Sequence, residues 1–102
     1  MATLVFSEAA QADLIDIQLY GIVTFGLKAA DHYVDGLREA IGRLRDFPRL
    51  APARPDLNPS VRILPYRSHI VVYLSDERIV RVLRIRHGRE DWYDDPTGDG
   101  TP

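Results

Sequence analysis

The chain has 102 residues, 13 basic and 15 acidic side chains, a net charge of −2 and no cysteine. That length fits one domain around a single core. The absence of cysteine excludes a disulfide framework, a thiolate nucleophile and cysteine-ligated zinc, and so mild a charge argues against indiscriminate coating of nucleic acid.

Ala2 to Phe6 is a short β-type run. The residues around it form no basic and apolar leader, and no stretch of the chain is apolar over the length of a bilayer. A cytoplasmic protein with no membrane partner is therefore expected. Ser7 stands where a helix N-cap belongs, because its hydroxyl can accept from a free N–H one turn on, and Glu8 suits the positive end of the helix dipole. Beyond it the apolar residues keep helical spacing in two stripes, Ala10, Leu14, Ile17 and Gly21 beside Ile15, Leu19 and Ile22. Gly21 is unfavourable inside a helix and marks a close packing point. Phe25-Gly26 breaks the helix.

A second amphipathic helix is predicted from Leu27 to Phe47, with Ala30, Tyr33, Leu37, Ile41, Leu44 and Phe47 on its apolar side. So short a break makes the two helices an antiparallel hairpin. Pro48, Pro52, Pro55 and Pro59 then rule out regular structure, giving an ordered extended connector over 48–59.

Ser60 to Arg89 holds three β-rich runs, Val61–Leu64, Ile70–Leu74 and Ile79–Ile85, separated by polar turns, which predicts an antiparallel meander. This stretch carries seven arginines against Asp76 and Glu77, a net of +5 in an acidic protein. Strict alternation along the last strand puts Val80, Val82, Arg84 and Arg86 on one face, and Leu83, Ile85 and His87 on the other, against the helices. Arg84 and Arg86, joined by Arg62, then form either a cationic surface for carboxylate or phosphate groups or a solvated face. The chain turns acidic after Arg89, with Glu90, Asp91, Asp94, Asp95 and Asp99. This run has the option of folding back over the arginines and screening them. Trp92 and Tyr93 inside it either stack on a partner or close the end of the core. Residues 1–96 are read as the domain and 97–102 as a flexible tail. His32, His69 and His87 have no metal-site spacing, so neither a metal nor a cofactor is expected.

The order of these elements resembles the ParE branch of the ParE/RelE toxin superfamily, the toxins of type II toxin–antitoxin pairs also known as plasmid-stabilisation proteins. The resemblance rests on Phe6-Ser7-Glu8-Ala9-Ala10 with Asp13, Leu14 and Ile17, on Phe25-Gly26 with Ala29, Ala30 and Tyr33, and on Leu44-Arg45-Asp46-Phe47-Pro48. Val61-Arg62, Ser68 to Tyr73 and Val82 to Asp91 complete it. It implies an α+β fold of order β-α-α-β-β-β, an antiparallel sheet packed against the helical hairpin. It implies a cognate ParD-like antitoxin and, for the ParE branch, DNA gyrase as target, with no catalytic residue and no sequence-specific nucleic-acid binding. Target contacts would then fall to Arg62, Arg84, Arg86, Arg89, Trp92 and Tyr93, and antitoxin contacts to Leu19, Ile22, Val23, Arg62 and Arg84. The RelE branch implies ribosome-dependent mRNA cleavage instead, in which Arg62, Arg84 and Arg86 hold phosphates and His87 or Tyr93 moves protons. Lys28 is the only lysine, and the acidic run repels RNA, so the sequence favours the first branch. A degenerate toxin that only binds its antitoxin is the third reading.

Overall fold

The computed structural model describes residues 1–57 and 60–98. Strand β1 (Thr3–Phe6) leads into helix α1 (Glu8–Phe25), which turns at Gly26 into α2 (Leu27–Gly42) and a 3-10 turn at Arg43–Arg45. Four strands follow: β2 (Ala53–Arg54), β3 (Val61–Tyr66), β4 (His69–Ser75) and β5 (Ile79–His87). They form one five-stranded sheet in the order β1-β5-β4-β3-β2. The α+β class, the hairpin and the antiparallel meander agree with the sequence reading.

Three features go beyond that reading. β1 lies parallel to β5, with Thr3 opposite Ile79 and Phe6 opposite Val82, so the sheet is mixed. The proline connector contributes a two-residue strand, pairing Ala53 with Arg62 and Arg54 with Val61; its expected end, Pro59, lies outside the described residues. The second helix stops at Gly42, and Phe47 is exposed rather than part of its buried side.

Local chemistry sets the hairpin. Ser7 is extended (φ −65°, ψ 162°), and its Oγ accepts from the Ala10 N–H at 2.9 Å, a side-chain N-cap. Gly26 takes φ +95°, a region that favours glycine, and lets α2 start one residue after α1 ends. Gly21 meets α2 where a Cβ would stand 3.0 Å from the Ala30 Cβ, so the two helices approach through small residues.

Between helices and sheet lies the main core: Leu14 of α1, Leu37 and Ile41 of α2, Leu44, and Val71, Tyr73, Val80, Val82 and Ile85 of the central strands. The buried Tyr73 hydroxyl donates to the Pro48 carbonyl at 3.0 Å and accepts from the Ala51 N–H at 3.2 Å, which ties the connector to the sheet. The other face of the sheet carries a second cluster, Leu57, Val61, Ile63, Ile70 and Val72, covered by Leu83 and Trp92. Trp92 thus closes a core, and its Nε1–H donates to the Gly88 carbonyl at 3.2 Å.

The sheet margins are closed in part, by different means. β1 ends opposite Val82. Beyond it the start of α1 takes over the β5 edge: Ser7 Oγ donates to the Leu83 carbonyl at 2.7 Å, and Asp13 Oδ2 accepts from the Ile85 N–H at 2.8 Å. At the other margin β2 pairs only with Val61 and Arg62, and Pro65 leaves the rest of β3 one donor short.

Candidate functional site

α1 is apolar on more sides than one core contact needs. Ala10, Leu14 and Gly21 are buried, while Ile15, Leu19, Tyr20, Val23 and Phe25, with Leu27 of α2, are exposed. Ile15, Leu19 and Val23 recur every four residues, so they share one outward stripe. Leu19 is 56% and Val23 87% exposed, and Ile22 beside them is half-buried. The Tyr20 and Phe25 rings meet edge to face at 6.5 Å. Scattered apolar residues are ordinary on a surface; a run of neighbouring ones is the kind of surface on which another macromolecule can dock.

Arg84 and Arg86 face away from the helices as expected, but Val80 and Val82 do not share their face and Leu83 does not pack on the helix side. A bulge falls between Val72 and Tyr73, whose partners are Arg84 and Val82, so Leu83 is the extra residue. It brings Ile85 to the helix side along with Val80 and Val82, and turns Arg84 and Arg86 to the far face with Val72 and Ile70. Arg62 pairs with Tyr73, on the helix side, and its Nη1 donates to the Ala51 carbonyl at 2.6 Å. It does not join the other two.

Arg84 and Arg86 are held by the chain itself. Arg84 grips Asp13 through Nε and Nη2 at 2.8 and 3.0 Å, and its Nη1 donates to the Thr97 carbonyl at 2.8 Å. Arg86 donates from Nε and Nη2 to Glu90 Oε2 at 3.1 and 2.9 Å, and from Nη1 to the Asp95 carbonyl at 2.6 Å. Burial tends to raise the Glu90 pKa, but the His87 N–H and Arg86 outweigh it, so the pKa lies below the ordinary carboxylate value. The acidic segment does fold back over the pair: Pro96 is fully buried, and a Cβ on Gly98 would collide with the Arg84 guanidinium. Thr97 and Gly98, the first residues of the expected tail, lie beside the Arg84 guanidinium; residues 99–102 of that tail lie outside the described residues. Of the arrangements open for Arg84 and Arg86, the structure therefore has the screened one: both guanidinium groups are paired and covered, and do not form an open shared face.

Tyr93 is 50% exposed, donates to Asp56 Oδ2 at 2.9 Å, and lies under Arg54, 5.9 Å from its ring centre. Arg89 is exposed. His87 lies at the end of β5, and its Nδ1 accepts from the Arg89 N–H at 3.1 Å.

One cluster was not foreseen. His69 of β4 stands opposite His87 of β5, with ring centres 5.2 Å apart, and its Nδ1 is 2.7 Å from the Tyr33 hydroxyl of α2. Burial, then the neighbouring His87, lowers the His69 pKa below 6.5, and burial raises that of Tyr33 above its ordinary value. The cluster forms the polar end of a cleft of about 430 Å³ between hairpin and sheet, with Ile17, Tyr20, Phe25, Ala29 and Ala30 as its apolar part. Among the described residues no group of three or more ligating side chains is placed to hold a metal, and no helix is long and apolar enough to cross a membrane.

The comparisons with known proteins agree with this architecture. A family model described as the ParE toxin of type II toxin-antitoxin system, parDE, matches residues 4–92. The chain is 34% identical over 86 residues to Toxin ParE1 of Mycobacterium tuberculosis, in strains CDC 1551 / Oshkosh and ATCC 25618 / H37Rv, which covers 83% of this chain and 88% of each relative. A solved structure described as the chromosomal ParDE TA system from P. aeruginosa superposes with a TM-score of 0.75 at 25% identity, over 85% of this chain and 96% of that one. By sequence and by fold, this chain belongs to the ParE toxins of type II toxin–antitoxin systems.

Proposed function

We propose that this toxin inhibits DNA gyrase by binding it in the cytoplasm, and that a cognate ParD-like antitoxin neutralises it by laying an amphipathic helix along α1. The observation that carries the antitoxin half is the exposed stripe of Ile15, Leu19 and Val23 with Tyr20 and Phe25, the kind of surface into which a helix inserts apolar anchors. Family membership supports the gyrase half. A binding role, as opposed to RNA cleavage, is supported by the dispersal of the candidate catalytic groups. Arg84 and Arg86 are ion-paired, Arg62 lies on the opposite face of the sheet, Tyr93 is tied to Asp56, and His87 lies in the cleft. Cleavage without a metal needs cations and a base converging on one phosphate. The exposed Arg89 and Tyr93 are the target contacts left accessible by this arrangement, with half-buried Trp92 behind them.

The test is a paired assay. Purified chain is added to gyrase supercoiling and, separately, to a translating ribosome extract. Inhibited supercoiling with intact mRNA is expected, reversed by the product of the adjacent antitoxin reading frame. Cut mRNA with unaffected gyrase overturns the proposal in favour of the RelE-type activity. Antitoxin binding with neither effect identifies a degenerate toxin.

A further inference from the structure

We propose that the cleft closed by Tyr33, His69 and His87 is a binding subsite for an aromatic-sized apolar group that ends in a carboxylate. Size and lining come first. About 430 Å³, walled by Ile17, Tyr20, Phe25 and Ala30 with polar groups gathered at one end, has the form of a site for a small ligand or an anchoring side chain.

The hydrogen bonds then determine which chemistry the polar end reads. A backbone N–H only donates, so the Arg89 N–H fixes His87 Nδ1 as an acceptor and puts the ring proton of the neutral form on Nε2. The Tyr33 hydroxyl, 2.7 Å from His69 Nδ1 and 3.5 Å from the Tyr66 carbonyl, donates to the nearer partner and gives His69 the same tautomer. Each imidazole therefore keeps an N–H donor at Nε2, which suits an oxygen acceptor. The same tautomers work against a metal, since a histidine bound through Nε2 donates from Nδ1.

Charge selects the acceptor. His69 faces His87 on β5, Tyr33 on α2, Tyr66 and Ser68 around the β3–β4 turn, and Glu90 beyond β5, while Arg67 acts on Tyr33. Arg67 and Arg89 are exposed nearby, and the Glu90 carboxylate is already engaged by Arg86 and the His87 N–H. A carboxylate entering the cleft offsets the burial and the neighbouring His87 that keep His69 neutral and favours its protonation, so its binding takes up a proton. Such a group belongs either to a free aryl acid or to an aromatic residue at a partner's C-terminus. In the second case the inference deepens the docking reading, because Tyr20 and Phe25 belong to both surfaces.

The probe is phenylacetate, titrated into the isolated chain and followed by NMR of the histidine Cε1–H signals, with phenethylamine and acetate as controls. Saturable binding that moves His69 and His87, tightens as the pH falls from about 7.5 to about 6, and is absent for both controls is expected. Ala29→Phe, at an exposed position on the cleft rim, and His87→Phe, which keeps a ring opposite His69, should each weaken binding about tenfold or more. Equal binding of phenethylamine, an Ala29→Phe variant that binds as well as the parent, or no saturable binding overturns the proposal. The titration needs neither gyrase nor antitoxin, so it succeeds or fails independently of the toxin reading. Repeated on the complex co-purified with its antitoxin, loss of phenylacetate binding assigns the site to the partner's C-terminal residue, and retention assigns it to a free acid.

Discussion

Asp13 is the residue whose removal tests most directly how this fold is closed. It accepts three N–H groups: Arg84 Nε and Nη2 at 2.8 and 3.0 Å, and the Ile85 N–H of the β5 edge at 2.8 Å. The Arg84 and Asp13 side chains are 23% and 13% exposed, so solvent screens the pair only in part. After that discount the bidentate ion pair contributes about 1–2 kcal/mol. A backbone N–H left without a partner at a half-covered edge costs about 1–2 kcal/mol more. Asp13→Ala should therefore lower stability by about 2–4 kcal/mol, enough to bring Tm down by roughly 10 °C or more in a domain of this size. Asp13→Asn keeps a carbonyl oxygen for the Ile85 N–H but turns an amide toward the guanidinium, and should lose about half as much. The assay is urea unfolding followed by circular dichroism, with the m-value unchanged so that the loss is one of stability and not of denatured-state structure. An alanine variant within about 0.5 kcal/mol of the parent would refute the reasoning. Equal losses from both substitutions would put the whole effect in the ion pair and none in the edge.

Other outcomes follow from the same geometry. Val23→Glu should change stability by less than about 0.5 kcal/mol, because the side chain is 87% exposed, and should weaken antitoxin binding at least tenfold in a calorimetric titration. Gly21→Val should destabilise by about 1–3 kcal/mol, since even a Cβ there stands 3.0 Å from the Ala30 Cβ; thermal melting measures it. The folded-state pKa of His69 lies below 6.5, so the unfolded chain takes up the proton first as the pH falls. The stability due to neutral His69 is thus fully present above about pH 6.5 and is lost below it, by up to about 1.4 kcal/mol per pH unit, until the folded-state pKa is reached. Urea midpoints across that window should fall less steeply in His69→Phe.

The elements themselves were legible, because each rests on local chemistry. Ser7 as N-cap, the Gly26 break, Gly21 as a contact point and the inner stripe of α2 all follow from spacing and side-chain type. The faces of β5 were not legible, because one extra residue at Leu83 reverses everything beyond it and leaves no mark in composition. Arg84 and Arg86 do lie on the face away from the helices, as the sequence suggests; what it hides is that their guanidinium groups are locked to Asp13 and Glu90, 71 and 4 residues away. The parallel pairing of β1 with β5 was hidden for a related reason, since a four-residue strand does not name its neighbour. The outward face of α1 was visible as an excess of apolar residues. Whether that excess was core or surface depended on how much of it the sheet could cover, and only the assembled fold decides that. The Tyr33–His69–His87 cluster joins a helix to two strands, and no local pattern announces it.

The partly closed margins of the sheet have a consequence for how this protein misbehaves. With the end of β5 beyond β1 sealed by Ser7 and Asp13, and the sheet bounded by edge strands of four and two residues with Pro65 in β3, each rim offers only a short template for cross-β growth. Stickiness resides in the helices instead. Chain stored without its partner should clump through α1, into deposits that redissolve in mild detergent, give a helical infrared spectrum and leave thioflavin dark.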